Sequence, residues 1–168
     1  MTWGRCIGVV LATWLAFLGV DFFFHGGLLA RWYLAEPPGV LPMRAAFARI
    51  PLGYGSYLIV ISFLLWVMRR AGVSGMGTGA RFGAVAGLLL ASASSLGLYS
   101  IVTVPGPLLF GWFCAEAVEA IVAGALLGAA LGGASLKRLF GVAVTILVVC
   151  ALLVLVLQTI GYAPTMRA

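Results

Sequence analysis

The sequence predicts an all-α fold, a polytopic transmembrane bundle of about five helices forming one integral membrane domain over residues 1–168. Three observations carry that prediction. Of the 168 residues, 64% are apolar and only 8% are charged, against about 45–50% and about 25% in average soluble chains. A chain this short has no interior large enough to hide so much apolar surface, so a soluble globular domain is excluded, and disorder with it. The apolar residues also fall in continuous runs of about 20, the length of a spanning helix. They do not alternate with a period of two, which excludes a β-barrel.

Taken in order, the first span covers about residues 7–29. Its basic leader is Arg5 alone, Asp21 interrupts it, and no clear A-x-A site follows it, so it reads as a retained helix rather than a signal peptide. Arg31-Trp32-Tyr33 then forms an interfacial anchor, and Pro37-Pro38 breaks any helix. Residues 42–49 are expected to lie along the membrane surface as a short amphipathic turn. The second span covers 50–68 and the third 82–102. A tight, uncharged loop over 103–107 leads into the fourth, 108–131. The fifth, 140–157, is the most uniformly aliphatic, and its surface is where a membrane partner subunit would sit.

Ten Lys and Arg against four Asp and Glu give a net charge of +6. The basic residues stand mostly at the ends of apolar runs, where they set topology and meet anionic headgroups. No basic run exceeds Arg69-Arg70, so the expected partner is the lipid bilayer and not nucleic acid. With five spans, one side carries Arg5, Arg69, Arg70, Arg81, Lys137 and Arg138, and the other carries Arg31, Arg44, Arg49 and Arg167 with Glu36. That bias places the N-terminus in the cytoplasm and the C-terminus outside, in a multi-pass protein of a cell membrane. The three cysteines, Cys6, Cys114 and Cys150, lie in apolar stretches without a CxxC pair and read as small buried hydrophobes.

Small residues mark the helix contacts. Gly79, Gly83 and Gly87 recur at four-residue spacing and are continued by Ala91, Ser95 and Tyr99; Gly124, Gly128 and Gly132 do the same in the fourth span. Such stripes let two backbones approach closely. The third and fourth spans are expected to touch at their glycine ends and to splay where Tyr99, Trp112 and Glu116 stand.

A charge at the bilayer centre costs about 2.5–3.5 kcal/mol on insertion scales, so each needs a reason. Asp21 and His25 are i,i+4 on the first span, and Glu116 and Glu119 are i,i+3 on the fourth, so each pair shares a helix face. At about 1.5 Å per residue, Asp21 lies about 20 Å in from the cytoplasmic side, with Glu116 and Glu119 about 12 and 16 Å in from the outer side. Tyr54, Ser56 and Tyr57 reach that level from the second span, Ser95 and Tyr99 from the third, and Gln158 from the fifth. The common depth points to an outward-facing polar site for a small ligand or ion, built from Asp21, His25, Tyr54, Tyr57, Ser95, Tyr99, Glu116 and Glu119.

Several chemistries fit these residue types. Glu116 and Glu119 could accept a proton or cation, with Asp21–His25 as a relay. The carboxylates and the imidazole could hold a metal, or His25 a tetrapyrrole, and the sequence identifies no particular cofactor. The contrasting reading is an internal network in which Asp21 pairs with His25 or Arg31 and the glutamates bond Tyr and Ser hydroxyls, as in a structural or assembly subunit of a larger complex. A small membrane enzyme is the least favoured class, since GxSxG, HExxH and a P-loop are all absent from the sequence.

Short motifs add a resemblance. Leu18-Gly19-Val20-Asp21 ends the first span, Gly79-Ala80-Arg81-Phe82-Gly83 starts the third, Tyr99 stands near its end, and Trp112 and Glu116 stand near the outer end of the fourth. Over roughly residues 10 to 132 this resembles small bacterial inner-membrane protein families of uncharacterised function, built on a four-helix membrane domain. The fifth span is additional to that pattern, and His25 stands where those families often carry Trp. The resemblance implies a membrane domain and no mechanism.

Overall fold

Each apolar run folds as a helix, and four of the five helices extend past a basic residue that bounds the run. The computed structural model describes residues 1–164, with Met43 and Arg44 described by backbone alone. Arg167 and the side chain of Arg44, both part of the charge asymmetry, lie outside the described residues. The order is α1 (Trp3–Phe23), one turn of π-helix (Phe24–Leu28), a short α2 (Ala30–Leu34), α3 (Met43–Arg70), α4 (Met76–Ile101), α5 (Gly106–Leu131) and α6 (Leu136–Thr159). Among the described residues there is no strand. α1 with its π turn, and α3 to α6, are five helices long and apolar enough to cross a membrane.

The extensions have a common cause. Lys and Arg near a helix end can reach the headgroup layer without unwinding the backbone, so a charge that ends an apolar run need not end the helix. α6 therefore begins before Lys137-Arg138, where the Ser135 side chain accepts the Arg138 backbone N–H at 3.3 Å. α4 begins at Met76, behind Gly75 at φ +91°, a conformation that favours glycine. The segment 42–49 is not a separate surface turn. It forms the first turns of α3, which runs unbroken through Pro51 for 28 residues. Proline is tolerated in membrane-spanning helices, where neighbouring groups take up the freed carbonyl.

α4 and α5 form the most extensive helix pair; α1 packs along α6 and against α5, and α3 lies on α1 and α5. One end of the bundle is basic. There Arg5 of α1 donates to the carbonyls of Ala134 at 2.7 Å and Ala130 at 3.4 Å, tying α1 to the end of α5. At the opposite end Arg31 donates to the Gly161 carbonyl and lies 5.1 Å from the centre of the Tyr162 ring, pinning the turn after α6.

Apolar packing is divided between the two ends. A larger core near the basic end joins Val9 and Ala16 of α1, Ile61 and Met68 of α3, Ala123 and Leu127 of α5, and Ala143 of α6. A smaller cluster at the other end joins Leu29, Val104, Leu108 and Leu109. In chain order Asp21, His25 and Glu119 fall between these two clusters on their helices.

The glycine stripes make the α4–α5 contact nearly backbone on backbone. A Cβ on Gly79 would run into the Gly124 carbonyl and stand 2.7 Å from the Gly128 Cα. The Gly75 N–H even donates across the pair to the Gly128 carbonyl, at 2.9 Å. A second close crossing, not marked by any stripe, brings Gly19 of α1 onto the backbone of Leu147 in α6, where a Cβ would stand 2.7 Å from its Cα.

Candidate functional site

The site is built from α1 outward. Asp21 is 6% exposed, and its Oδ1 accepts the hydroxyl of Tyr57 from α3 at 2.8 Å. Tyr57 is held by the Phe17 ring, 4.4 Å away between centroids, and by Tyr54, whose ring lies 6.2 Å off. The Tyr54 carbonyl in turn accepts the indole N–H of Trp14 at 2.8 Å, so α1 and α3 are tied at Trp14 as well as at Asp21.

One helical turn after Asp21, His25 lies in the π turn, closed by the Leu29 N–H bonding the Phe24 carbonyl at 2.8 Å. Such turns insert a residue into a helix and re-aim the side chains around it. His25 Nε2 stands 3.7 Å from Asp21 Oδ1, in charge contact but beyond hydrogen-bond length. On the other side, Nδ1 lies 2.6 Å from the Tyr33 hydroxyl, and Trp112 Nε1 of α5 donates to that same oxygen at 2.6 Å. Because the Tyr33 oxygen already accepts from Trp112, its own O–H is free to donate to Nδ1. The proton on neutral His25 then sits on Nε2, facing Asp21. Every donor in the chain Trp112, Tyr33, His25 thus points toward Asp21. Burial pushes the Tyr33 phenol up to about 12, the Trp112 hydrogen bond working against this and the Asp21 charge with it, so Tyr33 remains a neutral hydroxyl.

From α5, Glu119 is 2% exposed and its Oε1 has no hydrogen-bond partner among the described residues. It lies within the electrostatic reach of both Asp21 and Glu116. Glu116, one turn earlier, is half-buried and accepts the Ser94 hydroxyl of α4 at 2.7 Å. Sequence reasoning missed Tyr33 and Ser94 as members of this network. Their signals were present but weak: Tyr33 read as a membrane-surface anchor, and Ser94 is one of four serines within residues 92–100.

The eight residues singled out from the sequence therefore divide. Asp21, His25, Tyr54, Tyr57, Glu116 and Glu119 lie in or beside one polar layer. Ser95 and Tyr99 do not join it. They line a groove of about 450 Å³ between the diverging ends of α4 and α5, with Leu109, Phe110 and Phe113, and Tyr99 is 70% exposed. Arg31 is not a partner of Asp21, being engaged with the turn after α6. Ser56 bonds the Gly53 carbonyl of its own helix at 2.7 Å.

Two clefts, the α4–α5 groove and one at the basic end, are lined by residues other than Asp21 and Glu119. Next to the layer, Tyr33 and Trp112 pack against the Leu29–Leu108–Leu109 cluster. Among the described residues no three His, Cys, Asp or Glu side chains converge closely enough to hold a metal ion.

Chemically, the layer contains one carboxylate that is satisfied and one that is not. Asp21 has a hydroxyl donor and an imidazole beside it. Among the described residues Glu119 Oε1 has neither, and an ionised carboxylate taken out of water without a partner is strongly unfavourable. The chain matches no protein-family model, no curated protein and no solved structure.

Proposed function

We propose that this is a small integral protein of a cell membrane whose buried polar layer is a site for a proton or small cation, with Glu119 as the binding carboxylate. Glu119 carries the reading: it is 2% exposed and Oε1 is without a partner among the described residues. A residue costly to place in a membrane and unused by the surrounding structure is best accounted for by an ion that comes and goes. Glu116, half-buried one turn away, offers a carboxylate on the way in, and Asp21 with His25 supplies a fixed charge on the far side. The charge asymmetry supports placing the basic end and the N-terminus in the cytoplasm, with the polar layer displaced toward the outer face. The resemblance to small bacterial inner-membrane families supports a bacterial inner membrane.

A second reading, a structural or assembly subunit, is favoured by one observation, the Tyr57–Asp21–His25–Tyr33–Trp112 chain that ties α1, α3 and α5 together. The exposed aliphatic face of α6 would then carry a membrane partner.

The test is heat-induced unfolding of the purified chain in sodium, potassium and choline salts across a pH series, for wild type and Glu119→Gln. An ion- or proton-dependent shift that is lost in Glu119→Gln supports the site. A wild type indifferent to all of them favours the structural reading.

A further inference from the structure

Beyond the polar layer, we infer a binding site for one anionic phospholipid headgroup at the opposite, basic end, in the cleft where α1, α3 and α5 meet. The cleft has a volume of about 460 Å³ and is lined by Met1, Arg5, Arg69, Ala130, Leu131 and Gly133.

Its chemistry is one-sided. Arg5, Arg69, Arg70, Arg81, Lys137 and Arg138 all belong to this end, while the acids of the chain, Asp21, Glu36, Glu116 and Glu119, all stand elsewhere in the sequence. Among the described residues no carboxylate pairs with any of these cations. Two of the arginines face into the cleft with donors to spare. Arg5 uses Nη2 for the Ala134 and Ala130 carbonyls, which fixes the plane of its guanidinium and leaves its other N–H groups directed elsewhere. Among the described residues the one side-chain hydrogen bond of Arg69 runs from Nη1 to the Cys6 sulfur at 3.9 Å, a weak acceptor at long range. Arg70, next in sequence, is turned away, its guanidinium 5.7 Å from the centre of the Trp66 ring.

A guanidinium held in place beside a second one with unfilled donors is the arrangement that recognises phosphate oxygens, through parallel charge-assisted hydrogen bonds. The end of a spanning bundle stands at the depth of the headgroups, and basic clefts between spanning helices take anionic headgroups there. The occupant is therefore a phosphodiester that arrives with its acyl chains in the bilayer. Those chains would run down the exposed apolar surface beside the cleft, where Trp3 and Ile7 of α1 face outward.

The site is tested by native mass spectrometry of the full chain in mixed micelles, with phosphatidylglycerol titrated against phosphatidylcholine. Wild type is expected to retain phosphatidylglycerol preferentially. Arg69→Gln, which removes no contact that holds the fold, is expected to weaken that retention by about fivefold. Arg81→Gln, at the same end but outside the cleft, is expected to leave it unchanged. Arg5→Gln is a poorer probe because Arg5 also caps α5. Equal retention of the two lipids by wild type would overturn the inference. So would equal losses in Arg69→Gln and Arg81→Gln, which would mean diffuse surface charge. Displacement of the lipid by soluble glycerol phosphate at comparable concentration would show that a free phosphate, and not a lipid, is the occupant, and would overturn it also.

Discussion

Along α5, two faces a short distance apart are organised in opposite ways. Toward α4, Gly124 and Gly128 present bare backbone to Gly79 and Gly83, and there is no room for a Cβ on either side. Toward α1 and α3, Glu119 presents a full carboxylate into a layer where Asp21 already accepts the Tyr57 hydroxyl and has His25 beside it. The first face is specified by packing alone and tolerates no addition. The second holds a group that packing does not require. In a bilayer, where lipid competes equally for apolar surface, close backbone contact is what joins helices, whereas an unpartnered carboxylate weakens the fold.

The sharpest way to break the comparison is at the seam. Gly83→Val would drive its side chain into the Ala120 carbonyl, with the Gly124 Cα 3.2 Å from the new Cβ. We expect α4 to detach from α5 at a cost of about 3 kcal/mol or more, seen as a lower midpoint in denaturant or heat unfolding. Second in size is Asp21→Ala, which strands the buried Tyr57 hydroxyl without its acceptor and removes the carboxylate beside His25; a loss of about 2–4 kcal/mol is expected in the same assay. The comparison is sharpened by Glu119→Gln. A neutral amide in place of the unpartnered carboxylate should leave unfolding unchanged or raise the midpoint, so that two acidic residues in one layer respond with opposite signs. Ser94→Ala removes a single hydrogen bond to half-exposed Glu116 and should cost about 1 kcal/mol or less. The smallest effect is expected at Gly97, on α4 beyond the seam, where a Cβ would meet nothing within 4 Å. Gly97→Ala should stabilise by about 0.5–1 kcal/mol through helix propensity.

How far the sequence could be read follows from helix geometry. The five spans were legible because an apolar run near 20 residues has few other uses. Their basic ends were less legible, because charges such as Lys137, Arg138 and Arg81 sit inside the first turns of α6 and α4 rather than before them. The stripe from Gly79 to Tyr99 was read as one face, yet residues four apart rotate by about 40° at each step, and five steps amount to about 200°. That drift accounts for what is seen: Gly79, Gly83, Gly87 and Ala91 are buried, Ser95 is half-buried, and Tyr99 faces outward. The same geometry separates the two glutamates, which lie about 60° apart around α5. Glu119 faces the interior while Glu116 reaches the α4 side and Ser94. Asp21 and His25 were legible as a pair because i,i+4 spacing survives even across the start of the π turn. Tyr33 was not, because its place in the chain from Trp112 to His25 depends on how α2 folds back over the end of α1, which no local spacing encodes.

The central claim is that Glu119 holds an exchangeable proton or cation. Infrared difference spectroscopy of the protein in lipid nanodiscs, across pH and with added sodium, reads this directly. The account predicts a protonated-carboxyl carbonyl band in wild type that diminishes as the pH is raised or the cation is added, and that is missing from Glu119→Gln. A wild-type protein without such a band, or with one indifferent to both proton and cation, would contradict it.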